Sequence, residues 1–406
     1  GEERKQRVAE RHRAAAASGS RRRDKGTSKH VARETQVEKK GSSCSSSGID
    51  CVGRGAGFGS WRDMDPEQLA EAISFLEKAT GGAAPDVGVI CGSGLSGLVN
   101  CLSNVKVVKY EEIPHFPSIT VEGHSGELCF GNVGETSVVL MRGRFHFYEG
   151  HHMKVVTSPV KVMAGLGVKS LIVTNAAGGV NRSYNVGDLV VISDHIGFPI
   201  LAGNNPLYGP NDKQFGGPRF LPISDAYDPA LRQLVVEAAK SLKLDFVHRS
   251  GTYAFVSGPT YESSGESLML LNNGADTVGM STIPEVIVAR HCGMKVLCLS
   301  LVTNQVRLPG DVGEAASHEE VLETVNERST QIEELVTKVL DQMNPETFAS
   351  LEENLTANAA SEDASGPTKV TPLQVMNRVK QLDINNMTPV QAMAELQKLK
   401  DFAEGK

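Results

Sequence analysis

The chain has 406 residues, 40% apolar and 22% charged, the balance of a globular protein with one domain of roughly 250 to 290 residues and room for appendages. No apolar run approaches the roughly 18 residues a membrane-spanning helix needs, and the charge-dense N-terminal end has no apolar stretch of a secretory leader. Seven cysteines, an odd number, suit reduced thiols, so a cytoplasmic protein is expected.

Charge is uneven along the chain. Residues 1 to 40 carry 13 Lys and Arg against 6 Asp and Glu, which leaves 28 against 42 for the remainder. Such a basic arm could engage RNA or membrane phosphates. Runs such as Ala14 to Ala17 and KKGSSCSSSG are, however, low-complexity and too polar to build a core. Residues 1–62 therefore read as a disordered arm, and neither nucleic acid nor a membrane is an expected partner.

The folded domain, over 63–343, opens with a helix from Met64 to Thr80, started by Asp65-Pro66 and striped with Leu69, Ile73 and Leu76. A buried strand, Val87 to Cys91, runs straight into Gly92-Ser93-Gly94-Leu95-Ser96-Gly97. A glycine-rich turn after a strand lets backbone amides approach a phosphate, with the Ser93 hydroxyl as a further donor. The letters match a dinucleotide-binding G-x-G-x-x-G, but only about seven residues separate Gly97 from the next strand, Val105 to Val108. That leaves no room for the crossover helix of a dinucleotide fold.

A further strand, Val138 to Met141, leads into GRFHFYEG. Arg144 and His146 alternate onto one side of an extended segment and offer a planar cation and an imidazole to one spot. Glu149 could orient the imidazole or hold its proton. A helix with Val155, Val162, Met163 and Leu166 on its apolar positions comes next, expected to bend at Pro159. The apolar run from Leu171 then ends in Asn175-Ala176-Ala177-Gly178-Gly179, small residues that leave space for a flat ligand against the backbone. Strands ending at Cys91, Thr174 and Thr303 would thus bring small polar turns to one edge of a large mixed sheet, the edge where α/β sheets bind ligands. Leu189 to Ile192 and Tyr253 to Val256 add strands.

Asn204 to Asp228 is rich in Gly, Pro, Asn and Asp and reads as a long loop whose Phe215 and Phe220 need cover. Val256 to Ser263 places Tyr261 and Glu262 at a helix start, where a base could stack on the ring and hydrogen-bond the carboxylate. Thr277 to Asn304 reads as strand, turn, helix, strand. Thr282-x-x-Glu285 has the spacing of a capping box, and a helix start with the nearby Ser281 hydroxyl suits an anion. Cys292 and Cys298 read as core residues, since one adjacent histidine makes a poor zinc site. Arg307 to Ala316 reads as a mobile gate before His318. Residues 344–369 form an acidic linker. In 370–406, Leu373, Met376, Val379 and Leu382, then Val390, Met393, Leu396 and Leu399, stripe two amphipathic helices, a hairpin too small to stand alone and expected to associate.

In order and spacing, GSGLSGL, GHSGEL, GRFHFYEG, TNAAGG, GPTYES, VGMSTIPEV, TNQV and SHEEVL resemble the trimeric, low-molecular-mass purine nucleoside phosphorylases over about residues 64 to 343. The resemblance implies a single α/β domain with a central mixed, distorted β-sheet flanked by helices, assembled as a homotrimer. It implies phosphorolysis of inosine and guanosine and their deoxy forms, with inorganic phosphate as co-substrate and neither cofactor nor metal. Phosphate would be bound by Ser93, His124, Arg144, His146, Ala176 and Ser281. The ribose would meet Tyr148, Met280 and His318, with Phe220 entering the neighbouring subunit's site. Ala177, Gly178, Tyr261, Glu262, Val278 and Asn304 would hold the base, and Asn304, Glu262 and His146 would carry the catalysis. Three positions depart from the family pattern: Tyr261 replaces a Phe of the mammalian members, Gln305 replaces a Lys, and the Gly216-Gly217-Pro218 loop is one residue longer. Asn304 and His318 separate the chain from methylthioadenosine phosphorylases, which have an acid and an apolar residue there. Within the hairpin, DINNMTPVQAMAELQKLK is similar to the C-terminal association segment of bacterial mismatch-repair ATPases, but no ATPase motif accompanies it.

Overall fold

The computed structural model describes residues 64–92, 96–117, 125–211, 217–312 and 317–343, together with 395 and 397–399. The basic arm, the acidic linker and nearly all of the expected C-terminal hairpin lie outside the described residues.

Helix α1 (Pro66–Thr80) starts as its sequence dictates: the Asp65 carboxylate accepts the N–H groups of Glu67 and Gln68, and the Gln68 side chain accepts the Asp65 N–H. Strand β1 (Val87–Cys91) is next in the chain. A six-residue 3₁₀ turn, Ser96–Cys101, then carries the chain to β2 (Ser103–Lys109) at the sheet's edge, where a dinucleotide fold would have a crossover helix. β3 (Glu127–Val133) and β4 (Thr136–Arg142) form an antiparallel pair, and helix α2 (Met153–Leu166) crosses to β5 (Ser170–Gly179). Pro159 lies inside α2 and cannot donate to the Val155 carbonyl four residues back. The Ser158 hydroxyl donates to that carbonyl instead, at 2.9 Å, so the helix continues.

β6 (Leu189–Gly197), the short helix α3 (Phe198–Leu201), helix α4 (Pro229–Ser241) and β7 (Val247–Phe255) come next. Helix α5 (Ser264–Asn272), β8 (Thr277–Gly279), helix α6 (Ile283–His291), β9 (Lys295–Gln305) and helix α7 (His318–Asp341) complete the domain. The sheet runs β2-β3-β4-β1-β5-β8-β7-β6-β9, and β9 also pairs in parallel with β5. The last five strands therefore close on themselves, which is the distortion of an otherwise open mixed sheet. Along β1 the period of two feeds both faces: Ile90 packs with α1, α2 and α6, while Val87, Val89 and Cys91 pack with α4 and α7.

Two strand ends differ from the sequence expectation. β5 runs on to Gly179 and β9 to Gln305, so Ala176 to Gly179 and Asn304 lie in strands and not in turns. The reason is mutual pairing: each small residue of β5 faces a backbone partner on β9, which holds the run extended.

Candidate active site

A cavity of about 370 Å³ opens where β1, β5 and β9 end, bounded by the β8–α6 turn and the segment before α5. β5 and β9 meet in register up to Ala177 opposite Val302, after which Gly178 faces Asn304, so Thr303 is an extra residue in β9. Such a bulge breaks side-chain alternation and re-aims the side chains beyond it. Here it lets two successive residues, Thr303 and Asn304, line the cavity. Gly178 keeps the opposite wall thin: a Cβ there would stand 3.0 Å from Val306 and 3.5 Å from the Asn304 amide nitrogen.

Arg144 is 2% exposed, and its Nη1 donates to the hydroxyls of Ser281 (2.7 Å) and Thr282 (3.2 Å). Its Nε lies 3.3 Å from the Glu285 carboxylate, close enough for an ion pair but not aligned as a hydrogen bond. Nη2 has no hydrogen-bond partner among the described residues. A buried guanidinium with unspent donors beside a hydroxyl is built to receive an anion. His146 is fixed by Glu149, whose Oε1 lies 3.0 Å from Nδ1 and accepts the His146 N–H at 2.8 Å. The imidazole stacks on Tyr148, centroids 4.6 Å apart, and burial pushes the Tyr148 hydroxyl up to about 12.

The expected capping box at Thr282 and Glu285 does not form. Thr282 has φ 81° and ψ −56°, and Ile283 N–H donates to the Ser281 carbonyl at 3.0 Å, a γ-turn of the rare, strained hand. The turn commits both side chains to the site. Thr282 Oγ1 accepts from Arg144 and from Asn175 Nδ2 (2.9 Å), Asn175 in turn accepts from Ser300 (2.7 Å), and Glu285 turns inward to Arg144.

The base-side expectations converge on the same cavity. Ala176, Ala177, Gly178, Tyr261, Glu262, Val278, Met280 and Ser281 line it with Asn304. Burial raises the Glu262 carboxyl above the usual carboxylate range, and burial, then the neighbouring Glu262 charge, raises the Tyr261 hydroxyl. Gln305 does not reach the cavity: its amide donates to the Tyr184 carbonyl. Phe220 is 88% exposed and is not part of the lining. Ser93 and His124 lie outside the described residues, as do residues 313–316 of the expected gate. His318 is the first residue of α7, and only its backbone is described. Asn175, Thr303 and Val321 also line the cavity, beyond the residues expected from sequence. A polar residue inside an apolar strand was the available signal for Asn175, but nothing local marks a bulge or a distant helix face.

Residues 86–341 match the phosphorylase superfamily. The purine nucleoside phosphorylase of Rattus norvegicus is 48% identical over 266 residues, 66% of this chain and 92% of the rat protein. The crystal structure of Schistosoma mansoni purine nucleoside phosphorylase with inosine is similar at a TM-score of 0.67 and 43% identity, over 70% of this chain and 99% of that one. A Schistosoma purine nucleoside phosphorylase with guanosine matches over the same shares, at 0.65 and 43%.

Proposed function

The chain belongs to the phosphorylase superfamily, among its purine nucleoside phosphorylases, and we propose that it splits inosine, guanosine and their 2′-deoxy forms with inorganic phosphate. The products are the free 6-oxopurine and (deoxy)ribose 1-phosphate. One observation carries this reading: a single cavity is lined both by a buried guanidinium with unspent donors beside Ser281 and by the amide–carboxylate pair Asn304 and Glu262.

Phosphate sits against Arg144, His146, Ser281 and the backbone at Ala176, with Ser93 and His124 completing its shell. The ribose lies against Tyr148 and Met280, its 5′-hydroxyl met by His318. The purine lies by Ala177, Gly178, Tyr261 and Val278. As the glycosidic bond stretches, positive charge grows on the sugar and negative charge on the purine. Asn304 hydrogen-bonds N7 and O6, and ionised Glu262 accepts N1–H. Preorganised bonds that strengthen in this way are worth about 2.7–4 kcal/mol each. The phosphate dianion stabilises the oxocarbenium-like sugar and then bonds to its anomeric carbon, held within reach rather than collected from solution. The scheme calls on neither a metal nor an organic cofactor. A carboxamide at 304, in place of an acid, favours the 6-oxopurines over 6-aminopurine methylthionucleosides.

The exposure of Phe220, outside the cavity of its own chain, supports a homotrimer in which this ring covers the neighbouring site. The reduced thiols of the described cysteines support a cytoplasmic enzyme, and the apolar stripes of 370–406 support a separate association segment. The catalytic reading is tested by base release from inosine, guanosine, adenosine and methylthioadenosine, with and without phosphate. Phosphate-dependent release from the first two, lost in Asn304→Ala, is the expected result. Preference for methylthioadenosine would mean the base pocket is assigned wrongly.

A further inference from the structure

Arg144 is the only arginine or lysine among the described residues lining the cavity, and two of the three side chains that meet its guanidinium, Thr282 and Glu285, lie outside the lining. Glu285, in the first turn of α6, is 2% exposed and is not among the cavity residues. Its Oε1 meets Arg144 at Nε, the one guanidinium nitrogen set back from the Nη pair. Oε2 has no hydrogen-bond partner among the described residues, so the carboxylate contributes little to its own helix. A buried carboxylate that neither caps its helix nor faces solvent would be costly without a compensating task.

We propose that Glu285 is a positioning residue for phosphate, holding Arg144 through Nε so that its Nη edge stays turned to the anion. The inference rests on the phosphorolytic reading above. Nη1 is already fixed by Ser281 and Thr282, and these bonds leave the guanidinium free to pivot about that end. A second anchor at Nε removes the pivot. Thr282 belongs to the same device, since its strained turn is what brings Glu285 inward in place of capping. Anchoring matters because displacing a charged group by about an ångström costs up to about a hundredfold in a preorganised site.

The test is steady-state kinetics with phosphate and inosine varied separately, on wild type, Glu285→Ala, Glu285→Gln and Glu285→Asp, with melting temperature recorded for each. Glu285→Ala is expected to raise the KM for phosphate about tenfold or more while the KM for inosine stays within about twofold. Glu285→Gln keeps the bulk of the side chain but not the charge of the ion pair, so its phosphate KM is expected to rise toward that of Glu285→Ala. Where the alanine variant does not fold, Glu285→Asp, one methylene short, carries the same prediction. An unchanged phosphate KM, equal shifts in both KM values, or a Gln variant with wild-type phosphate KM, as a packing role alone would give, would overturn the positioning role. Cleavage of nucleoside by the wild type without phosphate would instead refute the proposed function itself.

Discussion

Replacing Glu262 by Gln separates base recognition from the rest of the reaction. Burial raises the Glu262 carboxyl above the usual carboxylate range. The ionised form accepts the N1–H of a 6-oxopurine in a charge-assisted bond that the neutral acid cannot match, so wild-type affinity for hypoxanthine should fall as pH drops through that raised value and hold steady above it. The lost interaction is a hydrogen bond to a charged group, about 1.5–3 kcal/mol, or roughly 10- to 150-fold in Kd. Gln in the same place cannot ionise, so Glu262→Gln should bind hypoxanthine weakly at every pH, with no acid limb. Calorimetric titration with hypoxanthine in phosphate-free buffer reads this directly and keeps the ionisation of phosphate out of the profile. The same acid limb in both proteins would refute the assignment of Glu262 to N1–H.

Three further outcomes rest on local geometry. Ser281→Ala removes the closest acceptor of the Arg144 guanidinium, a bond worth about 1 kcal/mol and more beside a charge, so phosphate KM should rise roughly tenfold with inosine KM little changed. Ser158→Ala leaves the Val155 carbonyl without the hydroxyl that replaces the missing Pro159 donor, and thermal unfolding should register a loss of about 1–3 kcal/mol. Gly92→Ala would set a Cβ 2.6 Å from the Thr174 carbonyl oxygen and 2.8 Å from the Asn175 Cα, backbone that cannot retreat without parting β1 from β5. Overpacking of this kind costs about 1–3 kcal/mol, and because Asn175 braces Thr282, activity should fall with stability.

Much of this site is legible in the sequence because its chemistry is local. Arg144, His146 and Glu149 lie within six residues, and alternation alone brings cation and imidazole to one side. Tyr261 with Glu262, and Met280 with Ser281, likewise sit side by side where a strand gives way to a helix. Thr282 and Glu285 show the limit of such reading. Their spacing fits a capping box, but a buried guanidinium 138 residues away in sequence outcompetes the helix amides for both side chains. The bulge at Thr303 is equally non-local, since it exists only against the register of β5, as does the closure of β5 through β9 into a ring. A strand's own residues specify that it is buried, and its partners are decided elsewhere in the chain.

In the proposed reaction phosphate, and not water, takes the sugar. Phosphorus NMR of purified protein with inosine and inorganic phosphate tests it most directly. Inorganic phosphate should disappear in step with hypoxanthine release and reappear as ribose 1-phosphate, at one per base freed. Hypoxanthine release with the phosphate signal unchanged and free ribose accumulating would contradict it.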